Sequence, residues 1–251
     1  MKRRLSLLAL VTMSHVAAAD PAPLLVVREM DPWRMVIGSD SAKFAVYDDG
    51  SVIYQAAKPT EERPFEKRKV ENPKLVVGKL LAVDLAKMEK SYELTAATDQ
   101  ITTTIWTPER RIGIYGNWRE PSPKAANDEQ RKMWESLPGG IREFLKRVEK
   151  ERETEGEAWM PESIEVMFWP YEYAPEESIV WPASWPDLKA ATTKKREGDD
   201  FYRVFLPSSK LAELRKFMAT RKDKGAVLIN GKKMTVSYRF PFPGEDRWMR
   251  R

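Results

Sequence analysis

The chain is predicted to adopt an α+β fold of antiparallel hairpins and a few amphipathic helices. Two tight reversals, Asp48-Asp49-Gly50 and Asn230-Gly231, each lie between short apolar runs. Such dipeptides supply the positive φ that a two-strand turn requires. Ile141, Phe144, Leu145 and Val148 mark one apolar stripe at helical spacing on an otherwise charged segment. A strand, a capped helix and a hairpin recur in that order at 80–115 and at 202–238. That recurrence suggests two related β-β-α-β-β units.

Taken in order, residues 20–27 form a Pro-containing lead-in ending in Leu24–Val27, and Met35–Ile37 is a short apolar stretch. Phe44–Tyr47 and Ser51–Tyr54 flank the first turn as paired strands. Residues 58–74, charged and without an apolar period, read as a loop. Leu80–Leu85 reads as a strand or the entry to a helix, and Asp84 is placed to cap a helix bearing Leu85, Met88 and Tyr92. Ile101–Trp106 and Ile112–Tyr115 form a second hairpin. Residues 119–126 read as a linker, and Asn127–Leu137 as a helix. Pro138-Gly139-Gly140 interrupts it before the striped helix, which runs to about Thr154 and ends at Gly156.

In the second half, Ile164–Trp169 is a strand, Pro170–Pro186 an irregular stretch rich in aromatics and prolines, and 187–199 a polar loop. Phe201–Leu206 is a strand, and Ser208 is placed to cap a helix with Leu211, Leu214, Phe217 and Met218. Ala226–Ile229 and Met234–Tyr238 flank the Asn-Gly turn. Phe240-Pro241-Phe242-Pro243 and Trp248 make an aromatic tail, expected to cover a sheet edge or to act as a docking peptide. The division is thus 20–157 for the first unit and 158–251 for the second.

Residues 1–19 read as a cleavable signal peptide. Lys2, Arg3 and Arg4 form its positive start, Leu5–Val16 its apolar stretch, and Ala17, Ala18 and Ala19 the small residues of a cleavage site. The expected cut falls between Ala19 and Asp20, or one residue earlier. The apolar stretch is shorter than the ~20 residues that span a bilayer, and no membrane segment is expected after cleavage. The same signal serves periplasm and full secretion.

Discounting that segment changes the charge. The whole chain has 43 Lys+Arg and 38 Asp+Glu. Residues 1–19 hold three of the basic residues and none of the acidic ones, so 40 against 38 remain. A net charge near +2 gives no nucleic-acid footprint. There is no cysteine, and the one histidine, His15, lies in the signal. Disulfides, thiolate or imidazole metal sites, Ser-His-Asp triads and Cys-His pairs are therefore excluded from the mature part. No cofactor or metal site is indicated, and no catalytic residue.

Over residues 35–150, the hairpin Phe44-Ala45-Val46-Tyr47-Asp48-Asp49-Gly50-Ser51-Val52-Ile53-Tyr54, followed by Thr102-Thr103-Thr104-Ile105 and Ile112-Gly113-Ile114-Tyr115-Gly116, resembles a family of small exported bacterial α+β domains of unknown function. That resemblance implies a fold and an export route but no site residues.

The candidate binding residues are Trp169, Tyr171, Tyr173, Trp181 and Trp185. Rings on a proline-stiffened stretch stack on sugars or anchor a protein when exposed, and staple an irregular segment onto a sheet when buried. The adjacent acids Asp48/Asp49, Glu176/Glu177 and Asp199/Asp200 do not meet the need of a glycosidase for two carboxyl groups facing across a cleft. The leading expectation is a non-catalytic exported binding protein, of immunity or inhibitor type, with an envelope or extracellular protein as its partner. A polysaccharide- or cell-wall-binding module and a carboxylate-dependent hydrolase are the alternatives.

Overall fold

A computed structural model describes residues 20–121 and 127–249. The signal-peptide expectation and its Ala17 and Ala19 lie outside these residues, and Asp20 is the first of them. The first half holds strands β1 (Pro23–Met30), β2 (Ala42–Tyr47), β3 (Ser51–Gln55), β4 (Phe65–Lys69), β5 (Ser91–Glu93), β6 (Thr102–Trp106), β7 (Arg111–Tyr115) and β8 (Glu157–Trp159). Its helices are α1 (Pro73–Leu81), α2 (Asp128–Glu135) and α3 (Gly139–Glu151). The strands form one sheet in the order β5-β7-β6-β1-β2-β3-β4-β8. Every pairing is antiparallel except β5 with β7.

The β2–β3 reversal shows how local chemistry sets the register. The Asp49 carboxylate accepts from the Ser51 amide at 2.8 Å and from its hydroxyl at 2.9 Å. Gly50 has φ +82°, and a Cβ there would stand 2.3 Å from the Val70 carbonyl oxygen. Val70 in turn donates its amide to the Gly50 carbonyl. The turn is thereby locked to the end of β4, and glycine is needed both for its φ and for the close approach.

Alternation sorts the strand residues onto two faces. Leu25, Val27, Phe44, Val46, Val52, Tyr54, Ile105, Ile112 and Ile114 share one buried cluster with Leu80 of α1 and the Ile141, Phe144, Leu145 and Val148 stripe of α3. The opposite face puts Val26, Ala45, Tyr47, Ile53 and Phe65 into a second cluster with the rest of the chain. Strands β1 to β3 are therefore covered on both sides.

The second half holds β9 (Ser163–Pro170), β10 (Glu176–Val180), β11 (Lys194–Lys195), β12 (Tyr202–Pro207), α4 (Leu211–Ala219), β13 (Gly225–Ile229), β14 (Lys232–Arg239) and α5 (Glu245–Trp248). The strands lie in the order β10-β13-β14-β9-β12-β11, with only β10 and β13 parallel. Positive φ at Asn230 (49°) and Gly231 (79°) makes the β13–β14 turn the one its sequence specifies. Ile164, Val166, Phe168, Val204, Leu206 and Val236 pack in one cluster with Leu211 and Leu214 of α4.

The two sheets meet along a seam that is apolar at one end and charged in the middle. Phe65, Trp159 and Phe242 stack edge-on in a trio with centroids 5.1–6.0 Å apart, and Phe240 meets Phe65 at 5.3 Å. The Phe240 amide donates to the Ser41 hydroxyl and the Tyr47 hydroxyl to the Pro243 carbonyl. Beside them Arg239 of β14, 2% exposed, donates to Glu165 of β9 at 2.6 Å and to Glu245 of α5 at 2.8 Å. Burial works against the Arg239 charge, but Glu245 and Glu165 outweigh it and hold its pKa above the ordinary value.

The hairpins, the striped helix and the capped helix at 128 stand as expected; Asn127 and Gln130 form a reciprocal capping box there. Several expectations are corrected. Residues 58–74 contain β4 and the start of α1. Residues 80–85 are not a strand but the end of α1 and the turn after it. The helix expected from Asp84 is a single 3-10 turn, Leu85–Lys87, and Tyr92 belongs to β5. Ser208 does not cap α4. It starts a 3-10 turn, and its hydroxyl donates to the Pro161 carbonyl. The stretches 170–186 and 187–199 contain β10 and β11. The aromatic tail covers a sheet face rather than an edge. The division at 157/158 runs through β8, which completes the first sheet. Both sheets end on a short strand parallel to the outer strand of a hairpin. That outer strand is the hairpin's second strand in one half (β7) and its first in the other (β13), so the connectivity of the halves differs.

Two substitutions test this account. Gly50→Ala is expected to cost about 2 kcal/mol or more in urea unfolding, since it combines a strained φ with a backbone clash. Arg239→Met leaves Glu165 buried without its partner and is expected to cost about 3–5 kcal/mol, most of it recovered in the Glu165→Leu/Arg239→Met double variant.

Candidate functional site

After β1 the chain leaves the first sheet as a loop, residues 31–41, that crosses to the second. Side-chain carboxylates build its shape. Asp40, 5% exposed, accepts from the Asp31 amide at 3.2 Å and from Arg34 Nε at 3.0 Å. Asp31 accepts from the Trp33 amide at 2.9 Å. Ser39 and Ser237 join the loop to β14 through their hydroxyls at 2.8 Å, and Arg28 of β1 donates to the Gly38 carbonyl at 2.9 Å.

These bonds decide which apolar side chains of the loop go inward. Val36 is fully buried against Met167 and Phe201, with Trp169 packed alongside. Its neighbours Met35 and Ile37 are left 42% and 43% exposed, and Trp33 is 76% exposed. The indole of Trp33 is nonetheless placed, because its Nε1 donates to the Asp99 carbonyl at 3.0 Å. That contact sets it beside the stretch leading to Ile101, which is 45% exposed. Four of the large exposed apolar side chains are thus associated with one loop and its neighbour.

A cleft of about 330 Å³ opens between the sheets next to this rim, and Ile101 lies at its edge. Glu29, Lys43 and Gln55 line it from the first sheet, Ser237, Tyr238 and Phe240 from the second, and Asp31, Arg34 and Asp40 from the loop. Its charges are paired in place, Arg34 with Asp40 at 3.0 Å and Lys43 with Glu29 at 3.4 Å. Under the loop, burial and then the like charge of Arg239 lower the pKa of Arg28, while Asp40 and Glu245 act the other way. The arrangement offers a rigid aromatic anchor, aliphatic side chains and a polar recess, which are the parts of a recognition surface.

The five aromatic candidates are not gathered on one surface. Trp181 and Trp185, 5% and 8% exposed, lie in the core, edge-on to Phe168, Phe217 and each other. The Trp181 amide extends the β10–β13 pairing to the Leu228 carbonyl, and its Nε1 donates to the Pro186 carbonyl. Trp169 packs against Phe201 beside the buried Val36. Tyr171 is half-buried, and Tyr173 stands 95% exposed at a turn. Four exposed apolar side chains, Trp33, Met35, Ile37 and Ile101, lie outside the candidate set. Their one sequence signal is the Met35-Val36-Ile37 run, whose alternation can send only one side inward.

The adjacent acids have local duties. Asp48 accepts from the Ala22 amide, Asp49 pairs with Lys69, and Glu176 accepts from the Lys224 amide. Glu177 pairs with Lys222, and Asp199 with Arg196. Bonds from Lys232, then Lys195 and the Tyr202 hydroxyl, hold the Asp200 carboxyl below the usual range. Among the described residues no group of three or more His, Cys, Asp or Glu is placed to hold a metal ion. No helix among them is long and apolar enough to cross a membrane.

The fold and site define a two-sheet α+β protein with an apolar rim beside a polar inter-sheet cleft. No protein-family model, curated protein or solved structure matches the chain.

Asp40→Ala removes both bonds that close the loop and is expected to destabilise the protein by about 1–3 kcal/mol. Amide hydrogen exchange in residues 31–41 should rise more than in β9 or β12, and equal protection in both proteins would show that Asp40 does not hold the loop.

Proposed function

We propose that the chain from Asp20 onward is an exported, non-catalytic protein that binds a macromolecular partner through the Trp33 rim. The partner is an envelope or extracellular protein, and the role is of immunity or inhibitor type. The observation that carries this reading is the exposure of Trp33, Met35 and Ile37 on one loop, with the Trp33 indole bonded to Asp99 near the exposed Ile101, which lines the inter-sheet cleft. Exposed apolar surface on a folded chain marks a contact site more often than it occurs by chance, and Trp is enriched among the anchors of such sites. Export is supported by the composition of residues 1–19 and by the resemblance over 35–150. The absence of His and Cys from residues 20–251 favours binding over catalysis.

The test is affinity capture from the native envelope fraction, run in parallel with wild type, Trp33→Ala/Ile101→Ser and Tyr173→Ala. A partner is expected to be retained by wild type and Tyr173→Ala and to bind the double variant about 30-fold more weakly, as loss of a central anchor worth ~2 kcal/mol gives. Equal retention by all three would remove the rim from the reading. Retention on insoluble polysaccharide by all three, with no protein enriched, would favour the carbohydrate alternative.

A further inference from the structure

A second cavity, about 480 Å³, opens where the amino-terminal lead-in meets the carboxy-terminal turn. Four carboxylates line it: Asp20, Glu165, Glu245 and Asp246. Three cations face them, Lys194, Arg203 and Arg239.

Glu165 is the most deeply buried of these carboxylates. Its side chain is 2% exposed. Its Oε2 accepts from Arg239 at 2.6 Å. Its Oε1 is buried with no hydrogen-bond donor among the described residues, and Arg203 Nη1 stands off at 3.8 Å. A buried carboxylate oxygen without a donor is an exception in folded proteins and points to a missing partner.

The lead-in is fixed at this cavity by more than proximity. The Ala22 amide donates to Asp48 Oδ1 at 2.8 Å, and the Asp48 amide returns a bond to the Ala22 carbonyl at 2.9 Å. Gly244, with φ +66°, lets residues 21–23 pass so near that its own Cβ would lie 3.3 Å from the Pro21 carbonyl oxygen and 3.2 Å from Pro23 Cδ. Asp20 is two residues from the anchored Ala22, so its nitrogen lies within ~7 Å of that anchor.

We infer that this cavity is the seat of the α-ammonium group created when the signal peptide is cut between Ala19 and Asp20, with Glu165 Oε1 as its acceptor. The inference rests on the export reading above. In the cut, a signal peptidase adds water across the Ala19–Asp20 amide. Ala19 leaves as a carboxylate, and the Asp20 nitrogen keeps the chain and gains protons. Before the cut that nitrogen is a neutral amide with one N–H. Afterwards it carries a positive charge and the extra donors that Glu165 Oε1 lacks. Signal removal thereby strengthens the seam between the sheets at the point where β9, β14, α5 and the lead-in converge.

The experiment compares protein 20–251 bearing a free Asp20 amine with the same protein acetylated at that amine. Acetylation is expected to lower Tm by about 3 °C or more. One extra glycine before Asp20, which moves the ammonium away, is expected to do the same. In Glu165→Gln the difference between free and acetylated forms should shrink; if that variant does not fold, the glycine-extended chain carries the test. Equal Tm for free, acetylated and extended forms would overturn the inference. Amino-terminal sequencing of the exported protein separates this from the export reading. A start at Asp20 with no acetylation effect rejects the ammonium seat alone. A different start with a clear acetylation effect rejects the cleavage position and leaves the seat as a property of the fold.

Discussion

The arrangement of both sheets depends on one buried arginine. Arg239 ends the last strand of the second sheet, is enclosed on all sides, and divides its donors between Glu165 and Glu245. A guanidinium in such a place is tolerable only with its charge answered. Glu165 comes from β9, in the middle of the same sheet, and Glu245 from the short helix after the aromatic tail. The pairing therefore fixes where the tail turns back. Phe242 adds its amide to the same Glu245 carboxylate. The tail reaches Phe65 and Trp159 of the first sheet because this carboxylate holds its far end.

That constraint explains why the two halves share a core. A sheet with helices on one face only must leave its other face to water or find a cover. Here α1 and α3 take one face of the first sheet, and Phe240, Phe242 and Trp248 contribute to the cluster on the other, with Val26, Ala45 and Tyr47. The consequence is visible in the sequence of β2 and β3, where Phe44–Tyr47 and Ser51–Tyr54 are buried without a break. Runs of that kind belong to strands covered on both sides. Burial raises the pKa of the Tyr47 hydroxyl, which spends its hydrogen on the Pro243 carbonyl.

What the sequence discloses and what it conceals divide along the distance of the interactions involved. The two Gly turns, the helix that begins near Asn127 and the α3 stripe are decided within a few residues, and all were legible. β4 was not, because Phe65-Glu66-Lys67-Arg68-Lys69 has one apolar residue. It is a strand because β3 and β8 supply pairing on both edges and Phe65 alone reaches the inter-sheet cluster. β10 depends likewise on a parallel partner 49 residues later in the chain, Gly225 opposite Glu176. The burial of individual aromatic residues is hidden for the same reason. Trp181 and Trp33 are equally hydrophobic, but Trp181 follows a paired strand onto α4, whereas Trp33 follows a loop whose buried position is filled by Val36.

The seam and the rim are parts of one construction. The loop that carries Trp33, Met35 and Ile37 is bonded at adjacent residues to both sheets, to β1 through Arg28 and Gly38 and to β14 through Ser39 and Ser237. Arg28 also feels the charge of Arg239 and of Glu245. An exposed indole usually samples several rotamers and gives up that freedom when it is covered. The bond from Trp33 Nε1 to Asp99 and the Asp40 bonds beneath it restrict that freedom beforehand. A surface ordered in this way loses less on contact, and more of its apolar area is converted into affinity.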